Sequence, residues 1–362
     1  MGMLTRRHFA HVIGATAITA AMPRLTLAQA PKPKGIARLN ANENPYGPSP
    51  AALRAINDAL PRANRYPDEA IEALIADIAK YHGLSNDSIL ATDGSSEALK
   101  VSATTFAQKR LVTADPTFEA IGFCAKSEGA EIIKVPLTAD HAHDLPRMLE
   151  AAKGEALIYV CNPNNPTATI TPKAMVRALL TSAPASVTIL VDEAYHHYAE
   201  SPDYESVIPL VKSHANLVVT RTFSKIYGMA GLRCGYAIAQ PAVIARMQEH
   251  GQWDSVNVLA AEAARASLGD AAHVANGQKR NREAKKWLAG ELAKLGYGML
   301  PSDANFVMIN LKREVRPFIE SMRQRGIHVG RPFPPMTNYL RLSIGTPEDM
   351  QRFMESFRVV MA

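Results

Sequence analysis

Between residues 88 and 240, seven short runs rich in Val, Ile and Leu alternate with stretches long enough to form helices. The runs fall at 89–91, 111–113, 132–135, 157–160, 187–191, 217–219 and 236–238. Strands joined by helix-length segments cannot pair as tight hairpins; they need crossovers and so assemble into a mainly parallel sheet. Such a sheet is covered by helices on both faces. The pattern therefore predicts an α/β fold built on one seven-stranded sheet, with ligands bound beyond the carboxyl ends of its strands.

After Pro241 the pattern changes. Long helical stretches, clearest at 260–268 and 278–295, are followed by strand candidates at 306–309 and 340–344, which predicts a smaller α+β domain. Residues 35–50 carry Asn-Pro, Tyr-Gly-Pro and Ser-Pro steps and read as an irregular arm, because proline and its predecessor both resist helix. The expected organisation is a leader over 1–30, an amino-terminal arm over 31–50, a large domain over 51–240 and a small domain over 241–362 that the arm joins.

The first thirty residues contain Arg6, Arg7 and Arg24 and no acid. Thr5-Arg6-Arg7-His8-Phe9 precedes a weakly apolar stretch from Val12 to Met22 and a small-residue end at Ala28-Gln29-Ala30, which is the anatomy of a twin-arginine signal peptide. Eleven helical residues rise only about 16 Å against a hydrocarbon core of roughly 30 Å, so no stable membrane anchor is expected. A periplasmic protein is. Lys and Arg total 40 against 34 Asp and Glu. Outside the leader the excess is small and scattered, which argues against a nucleic-acid partner. Cys124, Cys161 and Cys234 lack ligand spacing, so neither a metal site nor a disulfide framework is expected.

Polar groups stand where the predicted strands end. The run 187–191 leads into Asp192-Glu193-Ala194-Tyr195, and the run 217–219 leads through Thr220 and Arg221 into Thr222-Phe223-Ser224-Lys225. Asp93-Gly94-Ser95-Ser96-Glu97 opens a helix after the first run, and Asn162-Pro163-Asn164-Asn165-Pro166-Thr167 follows the fourth. Singly, these are a helix cap, a surface lysine and a turn. Together they supply a phosphate cradle, an amine, a carboxylate and an amide–phenol pair at one sheet edge, the set that pyridoxal 5'-phosphate requires. Lys225 would condense with the cofactor aldehyde, and Asp192 would keep the ring nitrogen protonated. Asn165 and Tyr195 would bond the ring oxygen, and Phe118 would cover the ring. Ser96, Thr222, Ser224 and Arg233 would hold the phosphate, with the helix amides at Gly94 and Ser95.

These residues, with Leu39 to Pro50, Arg65-Tyr66-Pro67, Gly231-Leu232-Arg233 and Tyr339-Leu340-Arg341, resemble the fold-type-I class I/II aminotransferases, and within them the histidinol-phosphate aminotransferase subgroup. The resemblance runs from residue 39 to about 345. It implies a homodimer in which Tyr66 reaches the neighbouring subunit's cofactor phosphate and Arg341 grips a substrate carboxylate, with Tyr46 on the substrate side. The substrates implied are an amino donor and a 2-oxo acid. Ala168 stands where the family has glycine, Phe118 replaces the subgroup's tyrosine, and the segment 328–335 departs from its substrate-phosphate region, although Arg331 still offers an anion contact. Rival readings are a decarboxylase or lyase on the same scaffold, since cofactor residues alone do not choose the bond broken, and a non-catalytic periplasmic binding protein.

Overall fold

The computed structural model describes residues 35–362. Residues 1–34, including the expected twin-arginine leader, lie outside the described residues. In chain order the first elements are β1 (Ala37–Leu39), α1 (Pro50–Ala59), α2 (Asp68–His82), β2 (Ile89–Thr92), α3 (Gly94–Phe106), β3 (Arg110–Asp115), α4 (Ala120–Ser127) and β4 (Glu131–Pro136). There follow α5 (Leu145–Ala151), β5 (Ala156–Cys161), α6 (Lys173–Ser182), β6 (Val187–Asp192), β7 (Leu217–Thr222), β8 (Gly235–Ile238), α7 (Pro241–Gln248) and α8 (Val258–Leu268). The chain ends with α9 (Ala271–Lys294), β9 (Gly298–Met299), β10 (Phe306–Asn310), α10 (Val315–Gln324), β11 (Ile327–Val329), β12 (Tyr339–Ser343) and α11 (Pro347–Met361).

All seven predicted runs join one sheet in the order β2-β8-β7-β6-β5-β3-β4. It is parallel except at β8, which runs antiparallel to β2 and β7. Alternate residues of the central strands enter different cores, as a period of two demands. Ile158, Val160, Ile189 and Val219 pack with Leu74, Ile78, Met148 and Leu179 from α2, α5 and α6. Leu157, Tyr159, Leu190 and Val218 pack with Leu99, Ile121 and Ile244 from α3, α4 and α7. Burial on both faces explains why these strands read as continuous apolar runs.

A second, antiparallel sheet of order β12-β10-β9 packs against α9, α10 and α11 through Leu288, Phe318, Phe353 and Phe357. The arm is less irregular than expected. Its residues Ala37 to Leu39 form β1 and pair in parallel with Ile327 to Val329 of β11, a three-residue strand too short to show periodicity. Helix α9 begins seven residues before the expected 278, with the Asp270 side chain capping it by accepting from the His273 amide. Gly277 reads as a breaker in sequence, yet it admits a neighbour: a β-carbon there would lie 2.7 Å from Cδ1 of Ile226.

Candidate active site

The registers Cys161↔Asp192 and Asp192↔Thr220 align the carboxyl ends of β5, β6 and β7. Asp192 ends β6, buried, and its carboxylate accepts from Tyr159 Oη at 2.9 Å, Thr220 Oγ1 at 3.2 Å and the Ala194 amide at 3.2 Å. Burial pushes its pKa up, opposed by those donors and by Lys225. Three residues after β7, Lys225 directs Nζ at the Asn42 carbonyl, 3.3 Å away, and stands 5.4 Å from the Tyr195 ring centre. Burial, reinforced by the nearby Arg341 guanidinium, lowers its amine to about 8 while Asp192 opposes the shift.

Arg341 projects from β12 to meet these groups. Its Nη1 donates to Asn165 Oδ1 at 2.8 Å and its Nη2 to the Asn40 carbonyl at 2.6 Å. Its Nε is buried without a hydrogen-bond partner. Lys225, Asp192, Tyr195, Asn165, Phe118 and Arg341 line one cavity of about 230 Å³, together with Ser95, Ser96, Thr222, Ser224 and Arg233.

The last five residues gather at one end of the cavity, against the start of α3. Asp93, at the helix N-cap, makes no side-chain capping bond, which leaves first-turn amides for another acceptor. Arg233 Nη1 donates to the Ala230 carbonyl at 3.1 Å and lies 3.5 Å from Ser224 Oγ. Two glycines permit the close approach. Gly94 has φ +66°, and a β-carbon on it would stand 2.3 Å from Arg233 Nη2; one on Gly235 would stand 2.4 Å from the Ser95 amide nitrogen. Hydroxyls, amides and one guanidinium suit a phosphate. The buried carboxylate opposite suits a protonated ring nitrogen, and Phe118 offers an aromatic face. The donor set therefore fits pyridoxal phosphate.

Other expected site residues stand apart from this wall. Tyr66 is 84% exposed. The Tyr46 ring lies 4.2 Å from the Arg280 guanidinium, in a small separate hollow with Asn281 and Asn305. Arg331 pairs with Glu119 and lies 4.3 Å from the centre of the Phe333 ring, whose other neighbour, the Arg341 guanidinium, is 4.7 Å away. Conversely, Asn42 lines the cavity, although in sequence it is one polar residue of an arm. A larger hollow of about 470 Å³ lies beside Phe118, bounded by α4, β4 and Phe333; it contains neither Lys225 nor Asp192, and of its charged groups Lys134 pairs with Asp115 and Glu119 with Arg331.

Ala168, the family's glycine position, has φ +64° and is buried beside Tyr195 and Phe306. Left-handed backbone costs an alanine roughly 1–2 kcal/mol, and burying its methyl returns roughly 0.8 kcal/mol. Ala168→Gly is therefore expected to change unfolding free energy in urea by no more than about 1 kcal/mol. A change beyond about 2 kcal/mol would mean that one of these two effects is misjudged.

The chain matches the aminotransferase class I and II family over residues 34–357. It is 39% identical to a histidinol-phosphate aminotransferase of Symbiobacterium thermophilum over 331 residues, which cover 90% of this chain and 91% of that protein. The chain is a class I and II aminotransferase. It is also 37% identical to a histidinol-phosphate aminotransferase of Moorella thermoacetica, over 91% of this chain and 86% of the relative. The crystal structure of the Sinorhizobium meliloti histidinol-phosphate aminotransferase, in complex with pyridoxal-5'-phosphate, superposes with a TM-score of 0.85 at 25% identity, covering 91% of both chains. Pyridoxal phosphate is the cofactor of this aminotransferase, and its fold is that of the fold-type-I enzymes.

The comparisons overturn the periplasmic expectation. The relatives that match about nine-tenths of this chain are histidinol-phosphate aminotransferases, and the family match begins only at residue 34, past the expected leader. The residues on which that expectation rested lie outside the described part of the chain.

Proposed function

We propose that this aminotransferase moves an amino group from a primary amine carrying an anionic group to a 2-oxo acid, as a homodimer. Histidinol phosphate, named in its relatives, is the first donor to test. One observation carries the reading: Arg341 opens onto the cavity that holds Lys225 and keeps its Nε buried and unpartnered. A substrate carboxylate or phosphate would supply the missing acceptor and gain charge-assisted bonds. Arg331, which shares the Phe333 ring with Arg341, is the candidate for a second anion, in competition with Glu119.

When bound, pyridoxal phosphate supplies an aldehyde for amine exchange and a conjugated ring that accepts electrons from the substrate Cα. The chain's own groups do the rest. Ser95, Ser96, Thr222, Ser224 and Arg233 would anchor the phosphate, and Asp192 would hold the ring nitrogen protonated. Tyr195 and Asn165 would donate to the ring oxygen, and Phe118 would fix the ring plane. Lys225 Nζ would first be the covalent partner and then carry the proton from the substrate Cα, for which its lowered pKa suits it. The homodimer is proposed from the family, in which Tyr66, 84% exposed here, would face the neighbouring subunit's cofactor phosphate.

The test is a panel of primary amines against purified, cofactor-loaded protein, following the aldehyde-to-amine absorbance change and identifying the oxo product. Histidinol phosphate and glutamate are expected to react; inertness of every anionic amine, or release of carbon dioxide instead of an oxo product, would overturn the proposal. Arg341→Gln is expected to lower kcat/KM for the 2-oxo acid by about 100-fold, mostly through KM, since a hydrogen bond to a charged group contributes about 1.5–3 kcal/mol. Unchanged KM would remove Arg341 from this role.

A further inference from the structure

We infer that Asn42 is a positioning residue for this reaction: its left-handed backbone aims its carbonyl at the Lys225 amine, and its carboxamide fixes the Tyr195 hydroxyl. The inference rests on the roles proposed above for Lys225 and Tyr195. Asn42 has φ +55° and is 2% exposed, a conformation that asparagine tolerates better than other residues with a β-carbon, glycine alone adopting it freely. Ser343 fixes it twice. The Asn42 amide donates to Ser343 Oγ at 2.8 Å, and that hydroxyl donates to Asn42 Oδ1 at 2.9 Å.

With Oδ1 committed to Ser343, Nδ2 must point the other way, and it donates to Tyr195 Oη at 3.1 Å. Tyr195 oxygen is thereby an acceptor, which leaves its own hydrogen to be donated into the cavity. The Asn42 carbonyl has two lone pairs. One receives Asn305 Nδ2 at 3.0 Å and the other Lys225 Nζ at 3.3 Å. Whenever the Lys225 amine is not covalently engaged, this carbonyl holds one of its hydrogens and keeps the nitrogen within the cavity. Ser343 and Arg341 lie two apart on β12 and so share one face. Arg341 holds the Asn40 carbonyl while Ser343 holds Asn42, so one strand stitches the arm over the cavity and orients the substrate-side guanidinium.

The groups whose charge bears on Lys225 are Arg341, Asp192, Glu43 and Arg233, and those bearing on Tyr195 are Arg341, Cys161 and Asp192. Asn42 is uncharged, so replacing it by aspartate adds a carboxylate to this set and removes the donor to Tyr195. The experiment uses full-length, cofactor-loaded protein carrying Asn42→Asp or Asn42→Gly. Asn42→Asp is expected to raise the pH midpoint of the cofactor's visible absorption band by about one unit, because an added negative charge favours the protonated form. Asn42→Gly accepts the same backbone and keeps the carbonyl, so it folds even if the aspartate variant does not. It is expected to lower kcat by about tenfold with KM for the 2-oxo acid within about twofold, because it deletes the carboxamide that donates to Tyr195 and is tied to Ser343 while the carbonyl facing Lys225 stays in place. A midpoint unmoved in Asn42→Asp together with unchanged kcat in Asn42→Gly overturns the inference. So does an Asn42→Gly loss that appears in KM alone. Borohydride treatment of the unsubstituted protein separates the two failures: cofactor fixed at Lys225 with inert Asn42 variants sinks only this inference, whereas no fixation at Lys225 sinks the proposed function.

Discussion

Lys225→Ala is expected to lower kcat by about ten-thousand-fold, the upper end for a positioned proton-transfer group, because the same amine is also the covalent partner. The protein should still fold and hold cofactor, since the phosphate cradle at Ser95, Ser96, Thr222 and Arg233 does not depend on the amine. Single-turnover absorbance measurements on the variant check this; a loss below about tenfold would exclude Lys225 from the proton step. The unsubstituted protein should show the matching pH dependence. Burial lowers the Lys225 amine to about 8, and only the neutral amine accepts a proton. Turnover should therefore fall by about tenfold per pH unit as pH drops below this value.

Glu193→Ala is expected to destabilise the fold by about 3–5 kcal/mol, the range for breaking a buried ion pair by removing one partner. Glu193 and Arg221 meet at 2.6 Å with side chains 1% and 5% exposed. Ser206 Oγ donates to Glu193 Oε2 at 2.8 Å and the Val207 amide to Oε1 at 2.7 Å. Burial opposes the Arg221 charge, and Glu193, together with Tyr236 and Tyr204, more than offsets it. Burial, and then Arg221 itself, pushes His82 to about 4, His197 to about 3 and His196 lower still, so these rings are neutral at pH 7. Urea unfolding reads the effect. The double variant Glu193→Leu with Arg221→Met should recover most of the loss, because it leaves no charge stranded. A single-variant cost under about 1 kcal/mol would show that water reaches the site.

The sheet was legible because each central strand is buried on both faces, which writes it as an unbroken apolar run such as 157–160 or 187–191. The strand ends were legible for a related reason: Asp192 and Lys225 interrupt or follow such runs abruptly. What escaped depends on distant partners. Residues 37–39 form a strand only because β11 lies beside them, nearly three hundred residues away in sequence. Asn42 looks like one more polar residue of a proline-rich arm until its φ and its contacts with Tyr195, Lys225, Asn305 and Ser343 are seen. The pairing of Arg331 with Glu119, and of Tyr46 with Arg280, likewise joins segments whose spacing carries no local signal. Glu193 is hidden in sequence by its neighbour Asp192, although the two acids point to opposite faces of the sheet edge and do different work. One faces the cavity, and the other neutralises a buried arginine.

Borohydride reduction of the freshly purified, cofactor-loaded protein, followed by peptide mass mapping, tests the central assignment most directly. Cofactor mass is expected on the peptide containing Lys225 and on no other, with loss of the visible absorption band. Mass on a different lysine, or none on any peptide of protein that retains cofactor, would contradict the account.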